Sequence, residues 1–421
     1  MLRSEQDPFS GLETAARFSR SRHCGNQKYP IFSKMLISKS SETTKQAIGL
    51  SVIIPTSGRA VLCRELLMSL SQSQEYCSVP TEIWVVDDSP NPQDSASIKA
   101  SCHDVKAQYC QFTGSVAQKR NWGAKQAQYP ILLFIDSDCI ATPCLLQAHW
   151  ISYQKNPNQS AAIGSTEFCG TENWLWQVVK LTPYLNSFSL AQFQMPVLWG
   201  PSNNLSCRQA DFEQLSGFDE RSPKPLGSED VDFGYRLYYR GKTMMTCPEA
   251  KLYHSTETWK TLSAVLLRLI RWGRGEAYII ERYWSELYDD CPDRYGCALA
   301  LILVGTLSAL LLGQFFWLYL PLIFLVVNFA SRLLWRIFNQ PKYALRILQL
   351  IAAEALILFY ETAILFHLLS RDFDLKPFFS CVIIRPEDAL AIWNIRIFEV
   401  WKRILEITLS GLAIYGWLHR I

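Results

Sequence analysis

Three short apolar runs set the pattern of the first 140 residues: "LSVIIP" at 50 to 55, "TEIWVVDD" at 81 to 88 and "ILLFID" at 131 to 136. Each has the length and β-branched or aromatic content of a strand covered on both faces. Between them, Leu62, Leu66, Leu67 and Leu70 recur at helical spacing after Arg59, and "GSVAQKRNWGAKQA" reads as a loop followed by a helix. Alternating strands and helices predict an α/β domain with a mostly parallel sheet and crossover helices on both faces. Further on, "LWGPSNNLSCRQADFEQLSGFDE" holds a Gly-Pro turn and a helix that stops at Gly217. The stretch "GSEDVDFGYRLYYRG" predicts a helix that Ser228 can cap, and "KLYHSTETW" a short strand ending near His254.

After residue 258 the pattern changes. Leu262, Val265, Leu266, Leu269 and Ile270 form one stripe of a helix, with Arg268, Arg271 and Arg274 along another. Such a helix can lie on a membrane surface or aim an arginine at a substrate phosphate. From Cys297 to Val327 the chain is apolar except around Gly313 and Gln314. One straight helix over that run would be roughly 45 Å long, so two short spanning helices joined at Gly313 are expected. The following segment carries Arg332, Arg336, Lys342 and Arg346 without an acid, which assigns it to the cytoplasm. Residues 347 to 369 form a third candidate span, in which Glu354, Glu361 and His367 must face protein or water, and Ile404 to Leu418 a weaker fourth. The alternative is a buried helical core in a second soluble domain. The expected organisation is a flexible polar arm at 1–48, an α/β catalytic domain at 49–257, an amphipathic interface region at 258–296, and a membrane region at 297–421 with about two to four spanning or interfacial helices.

Composition agrees with a membrane-associated chain of 421 residues: it is 49% hydrophobic with a mean hydropathy of +0.03, and the excess falls late. A formal net charge of +3 argues against a nucleic-acid partner. The 13 cysteines have no C-x-x-C pair and no matching histidine spacing, which points to buried thiols in a reducing compartment instead of a zinc or disulfide framework. The first 48 residues lack the apolar core of a signal peptide.

The candidate chemistry lies where the strands end. Asp87 and Asp88 follow the second strand, and Asp136 and Asp138 the third. Parallel strands bring these four acids to one rim, where open α/β sheets bind ligands and paired carboxylates suit a hard divalent cation. Taken singly, each pair is equally readable as a turn or a helix cap. Glu229, Asp230 and Asp232 fall in a first helical turn, where the helix dipole alone favours acids.

The ordered set "SVIIPTSGR", "VVDDS", "AQKRNWG", "FIDSDC", "GPSNNLSCR", "GFDE", "SEDVDFGYR", a histidine and "RLIRWGRG" resembles the family 2 glycosyltransferases of the GT-A fold over residues 50 to 276. The resemblance implies a Rossmann-like catalytic domain acting on a nucleotide sugar, a UDP- or GDP-sugar, with Mg²⁺ or Mn²⁺. It implies nucleotide contacts from Pro55, Thr56 and Arg59, from Asp87 or Asp88, from Lys119 and Arg120, and from Asp136. It assigns the metal to Asp138 and Asp136 with His254, the catalytic base to Asp230 with Glu229 beside it, and acceptor or diphosphate contacts to Arg271, Trp272 and Asn203.

One base and one metal describe direct displacement with inversion at the anomeric carbon. Polymer-making members usually carry Q-x-x-R-W; this chain has Arg268 in place of the glutamine, followed by Arg271 and Trp272. The expectation is therefore a non-processive transferase, its catalytic domain facing the cytoplasm, with a lipid-linked or exported glycan as acceptor. The alternatives are a processive polysaccharide synthase, a catalytically inactive membrane-tethered nucleotide-sugar-binding or scaffold protein, and, lower, a nucleotidyl transferase.

Overall fold

The computed structural model describes residues 48–220, 227–290, 346–369 and 380–382, with a subset of positions between 302 and 334. The expected arm before residue 48, the charges at Arg332, Arg336 and Lys342, and the fourth candidate span lie outside the described residues. The chain divides into two compact units. The first comprises the chain up to Thr171, Asn186–Arg221 and Asp230–Thr258; the second comprises Glu172–Leu185, Ser222–Glu229 and Trp259–Ile421.

In the first unit, the predicted alternation gives β1 (Leu50–Thr56), α1 (Ala60–Glu75), β2 (Thr81–Asp87), α2 (Pro92–Asp104), β3 (Gln108–Gln111), α3 (Val116–Gln126) and β4 (Ile131–Ile135). These strands stand in the order β3-β2-β1-β4, every pair parallel. The period of two along β4 explains why its run is apolar throughout. Ile131, Leu133 and Ile135 pack with α1 on one face, and Leu132 and Phe134 pack with Ala117 and Ala124 of α3 on the other.

Beyond β4 the sheet is mixed. It continues through β5 (Cys139–Ala141), α4 (Leu145–Lys155), β6 (Gln159–Cys169), α6 (Asn186–Ser189), β7 (Pro196–Val197), β8 (Asn204–Arg208), α7 (Gln209–Gln214), α8 (Glu229–Tyr239) and β9 (Thr243–Ser255); α5 (Trp174–Val179) belongs to the second unit. β8 lies antiparallel between β4 and β6, β6 runs parallel to β9, and β5 and β7 pair antiparallel with β9. The strand at His254 is thus 13 residues long, not a short one. The mostly parallel character expected of the sheet holds in β3-β2-β1-β4 and in the β6–β9 pair, whereas β8, β5 and β7 are inserted antiparallel. Gly217, with φ 71, ends the turn after α7, whereas Ser228 has φ 81, a left-handed backbone that an N-cap does not ordinarily take. Cys144 is disulfide-bonded, a departure from the thiol-only expectation that spacing along the chain cannot reveal.

The second unit is helical where it is described. α9 (Leu262–Leu287) carries the predicted stripe, with Val265 and Leu269 buried. α10 (Ile347–Leu369) packs against it, and a Cβ on Gly273 would stand 3.0 Å from both the Ala363 Cβ and the Tyr360 carbonyl. Within α10, Ile347–Ile364 is long and apolar enough to cross a membrane, and Glu354 and His367 are buried. Gly313 has φ 67, a left-handed backbone open to glycine, and Phe315–Tyr319 form a 3-10 turn; the two spanning helices expected to meet there lie largely outside the described residues.

A polar cluster ties α4 to the sheet of the first unit. The His149 ring bonds Asn204 Oδ1 at 2.9 Å through Nε2 and Ser206 Oγ at 2.9 Å through Nδ1, and Asn204 donates to the Ser165 and Ala250 carbonyls. Full burial pushes the His149 pKa from 6.5 down to about 4. The neutral ring is favoured in the folded state, so its stabilisation is complete above pH 6.5 and is lost as pH falls toward 4, on the order of 3 kcal/mol across that window. His149→Gln is expected to lower the melting temperature at pH 7 but to flatten its fall between pH 6.5 and 4.5, read by thermal melts over a pH series.

Candidate active site

The strand order β3-β2-β1-β4 places a switch point between β1 and β4, since the chain leaves β1 toward β2 on one side and β4 closes on the other. Open α/β sheets bind ligands in a crevice at the carboxyl ends of the strands beside such a point. The turn after β1 lies there. Gly58 and Arg59 are both left-handed, at φ 65 and 61, which is strained for arginine by about 1–2 kcal/mol. The turn is held from β2: Gly58 N–H donates to Ser89 Oγ at 2.7 Å, and Ser89 donates to Asp87 Oδ1 through both its N–H and its hydroxyl. Tyr109 donates to Asp87 Oδ2 at 2.9 Å. Burial, with Asp87 beside it, pushes the Tyr109 phenol up to about 12.

Asp88 is held differently. Lys119 Nζ stands 2.6 Å from its Oδ1 and also donates to the Thr56 carbonyl, tying α3 to both strand ends. Burial lowers the Lys119 pKa while Asp88 opposes the shift. The adjacent Arg120 is buried too, with its guanidinium 2.6 Å from Asp136 Oδ1 and 5.6 Å from the Phe218 ring centroid.

Asp138 lies between β4 and β5. Its buried carboxylate meets Arg59 Nη1 at 3.0 Å through Oδ2, and Oδ1 lies 3.5 Å from His254 Nε2. His254 Nδ1 is 3.0 Å from the Ser255 carbonyl, which only accepts, so Nδ1 carries a proton there. Asp136, paired with Arg120, is half-exposed.

The antiparallel pairing of Ile135 with Asn204 sets the "GPSNN" loop alongside the Asp136–Asp138 turn. Ser202 donates to Asp230 Oδ2 through its N–H at 3.0 Å and its hydroxyl at 3.4 Å. Gly234 lets α8 close on that loop, since a Cβ there would meet the Leu198 carbonyl and Trp199. Asn203 donates to Thr166 Oγ1 at 3.1 Å and is buried. Pro55, Thr56, Arg59, Asp87, Asp88, Lys119, Arg120, Asp136, Asp138, Asn203, Asp230 and His254 therefore share the first unit. Glu229 opens α8 but is counted with the second unit, as are Arg271 and Trp272 on α9. Trp272 packs 5.6 Å from Trp259 and 6.3 Å from Tyr184, while Arg271 is exposed.

The model of glycosyl transferase family 2 matches residues 51–213, the segment that carries the β1–β4 switch point, Asp138 and the Ser202 loop. Over this segment the chain is similar to that family. Similar proteins include the validoxylamine A glucosyltransferase of Streptomyces hygroscopicus subsp. jinggangensis, 27% identical over 269 residues, or 56% of this chain and 63% of that protein. The enzyme of the same name from Streptomyces hygroscopicus subsp. limoneus is 27% identical over 65% of this chain and 67% of its own length. The hyaluronan synthase of Pasteurella multocida is 24% identical over 50% of this chain and 25% of its own. The match thus spans less than two thirds of the first relative and a quarter of the synthase.

Sequence reasoning missed Ser89, Tyr109 and Ser202, which hold the site's acids and the turn after β1. Ser89 was visible only as a turn residue, and Ser202 only once β8 is known to run antiparallel to β4. Ser89→Ala is expected to destabilise the protein by about 1–3 kcal/mol, because it strips buried Asp87 and Gly58 N–H of a partner. Melting curves would register this, and isothermal titration with a nucleoside diphosphate should show weaker binding as the Gly58–Arg59 turn loosens.

Proposed function

We propose that the protein is an inverting, metal-dependent glycosyltransferase that moves a sugar from a nucleotide sugar to an acceptor hydroxyl, one unit at a time, at the cytoplasmic face of a membrane. The observation that carries this reading is that one unit holds both the Asp138–His254 pair and, in the first turn of α8, Asp230 held by Ser202. The glucosyltransferase relatives support a hexosyl donor.

In this reading Asp230 accepts the proton of the acceptor hydroxyl, and the Ser202 N–H and hydroxyl fix the orientation of its carboxylate. Thr56, Arg59 and Asp88 face the nucleotide, whereas Asp87 is already engaged by Ser89 and Tyr109. The donors at Asp138 and His254 fit a divalent cation, one a carboxylate oxygen and the other a ring nitrogen whose tautomer is fixed by Ser255. Such an ion supplies positive charge opposite the departing nucleoside diphosphate. Arg120 and Lys119 hold Asp136 and Asp88 in place, and buried Asn203 shapes the loop. No carboxylate nucleophile is needed for a single displacement.

Membrane attachment is supported by the apolar α10 and by exposed Leu310, Leu311, Phe315, Leu348 and Phe366 in the second unit. A lipid-linked or exported glycan suits that location, with Arg271 offered to its phosphate. The synthase relative favours processive polymerisation as a second reading. Against it, Arg268 replaces the glutamine of the processive motif and stacks 3.9 Å over the Trp259 ring.

Transfer of labelled sugar in isolated membranes, with a panel of UDP- and GDP-sugars and Mg²⁺ or Mn²⁺, tests the reading. Asp230→Asn should lower turnover by about 10²–10⁴-fold with nucleotide binding retained, and Asp138→Asn should abolish activity at every Mg²⁺ or Mn²⁺ concentration. A single-addition product is expected; a ladder of products would favour the synthase, and unchanged turnover in Asp230→Asn would remove the base assignment.

A further inference from the structure

Cys139 has no part in the proposed transfer. It opens β5 directly across from His254 on β9, and directly opposed residues of an antiparallel pair project to one face with Cβ atoms about 5 Å apart. Its sulfur, an Asp138 carboxylate oxygen and a His254 ring nitrogen all lie within 4.8 Å of one another, and all three residues are buried. The imidazole is prepared as a ligand, since Nδ1–H is spent on the Ser255 carbonyl and Nε2 lies 3.5 Å from Asp138 Oδ1. Arg59 sits on the other oxygen, Oδ2, so a cation on Oδ1 leaves that ion pair intact.

We propose that Asp138, Cys139 and His254 form a binding site for a thiophilic divalent cation of the Zn²⁺ or Cd²⁺ class, one that does not require a nucleotide. A carboxylate and an imidazole alone discriminate weakly among divalent ions, but a thiolate beside them selects Zn²⁺ over Mg²⁺ and Mn²⁺. Ligand atoms around a tetrahedral zinc stand roughly 3.5 Å apart, so these three need close by only about 1 Å. On binding, the sulfur–metal bond replaces the S–H bond and the proton leaves to solvent, which makes the affinity rise with pH. Because Asp138 and His254 are also the residues assigned to the Mg²⁺ or Mn²⁺ of catalysis, occupation by the softer ion would inhibit transfer. That consequence rests on the proposed function, whereas the site itself does not.

The test is a Co²⁺ titration of the full-length, detergent-solubilised protein without nucleotide, followed by absorption spectroscopy. Expected is a near-ultraviolet thiolate-to-cobalt charge-transfer band that Zn²⁺ removes and an equal concentration of Mg²⁺ does not. Cys139→Ser and Cys139→Ala, both verified as folded by thermal melts, should lose the band and bind Zn²⁺ at least about tenfold more weakly. No band in the parent protein, or the same band in both variants, would overturn the site, the latter by assigning the signal to other thiols. The two ideas fail separately: sugar transfer without a cobalt–thiolate band sinks only the site, and a Cys139-dependent band in a protein that transfers no sugar sinks only the function.

Discussion

A carboxylate taken out of water must be met by a cation or by several hydrogen-bond donors, and four carboxylates crowd the ends of β2 and β4. Each is answered by a different device: Asp87 by the Ser89 and Tyr109 hydroxyls, Asp88 by Lys119, Asp136 by Arg120 and Asp138 by Arg59. The partners come from α3 and from the turn after β1, so the charge balance is also what pins those segments to the sheet. The left-handed Arg59 is intelligible in these terms. Its strain is offset by the ion pair it delivers to a buried acid across the switch point.

The sheet's first half was legible because its physics is local. An apolar run buried on both faces, a turn and an amphipathic helix each leave a signature within a dozen residues, and the right-handed crossover fixes how they assemble. The convergence of Asp87, Asp88, Asp136 and Asp138 followed from that assembly. The second half was not legible, because nothing local in "SNNLSCR" states that β8 runs antiparallel between β4 and β6. With it went Ser202 and the His149 cluster, whose meaning depends on that pairing. The same limit hid Cys139, an unremarkable core cysteine until β5 is laid against β9 and His254 appears opposite it.

The Glu172–Leu185 segment shows a related failure. It lies between strands of the first unit in sequence but is counted with the second. Within that unit Trp176 packs 5.6 Å from Trp259, and Gln177 accepts a hydrogen bond from Gln349 at 2.7 Å. A boundary drawn along the chain at one residue cannot represent a segment that leaves one core and joins another.

The "RWGRG" run illustrates why a motif match alone does not assign roles. Gly273 is required by the close approach of α10, and Gly275 by contact with the Gly227 carbonyl and the Ser228 hydroxyl, so both glycines have packing reasons to be there. Trp272 fits among Trp259, Tyr184 and Arg268, and its removal would disturb the unit whatever its function. Arg271 is exposed, and a long cationic side chain turned to solvent adds little to a core. Because it stands outside that packing, its substitution would separate a role toward the acceptor from a role in the fold.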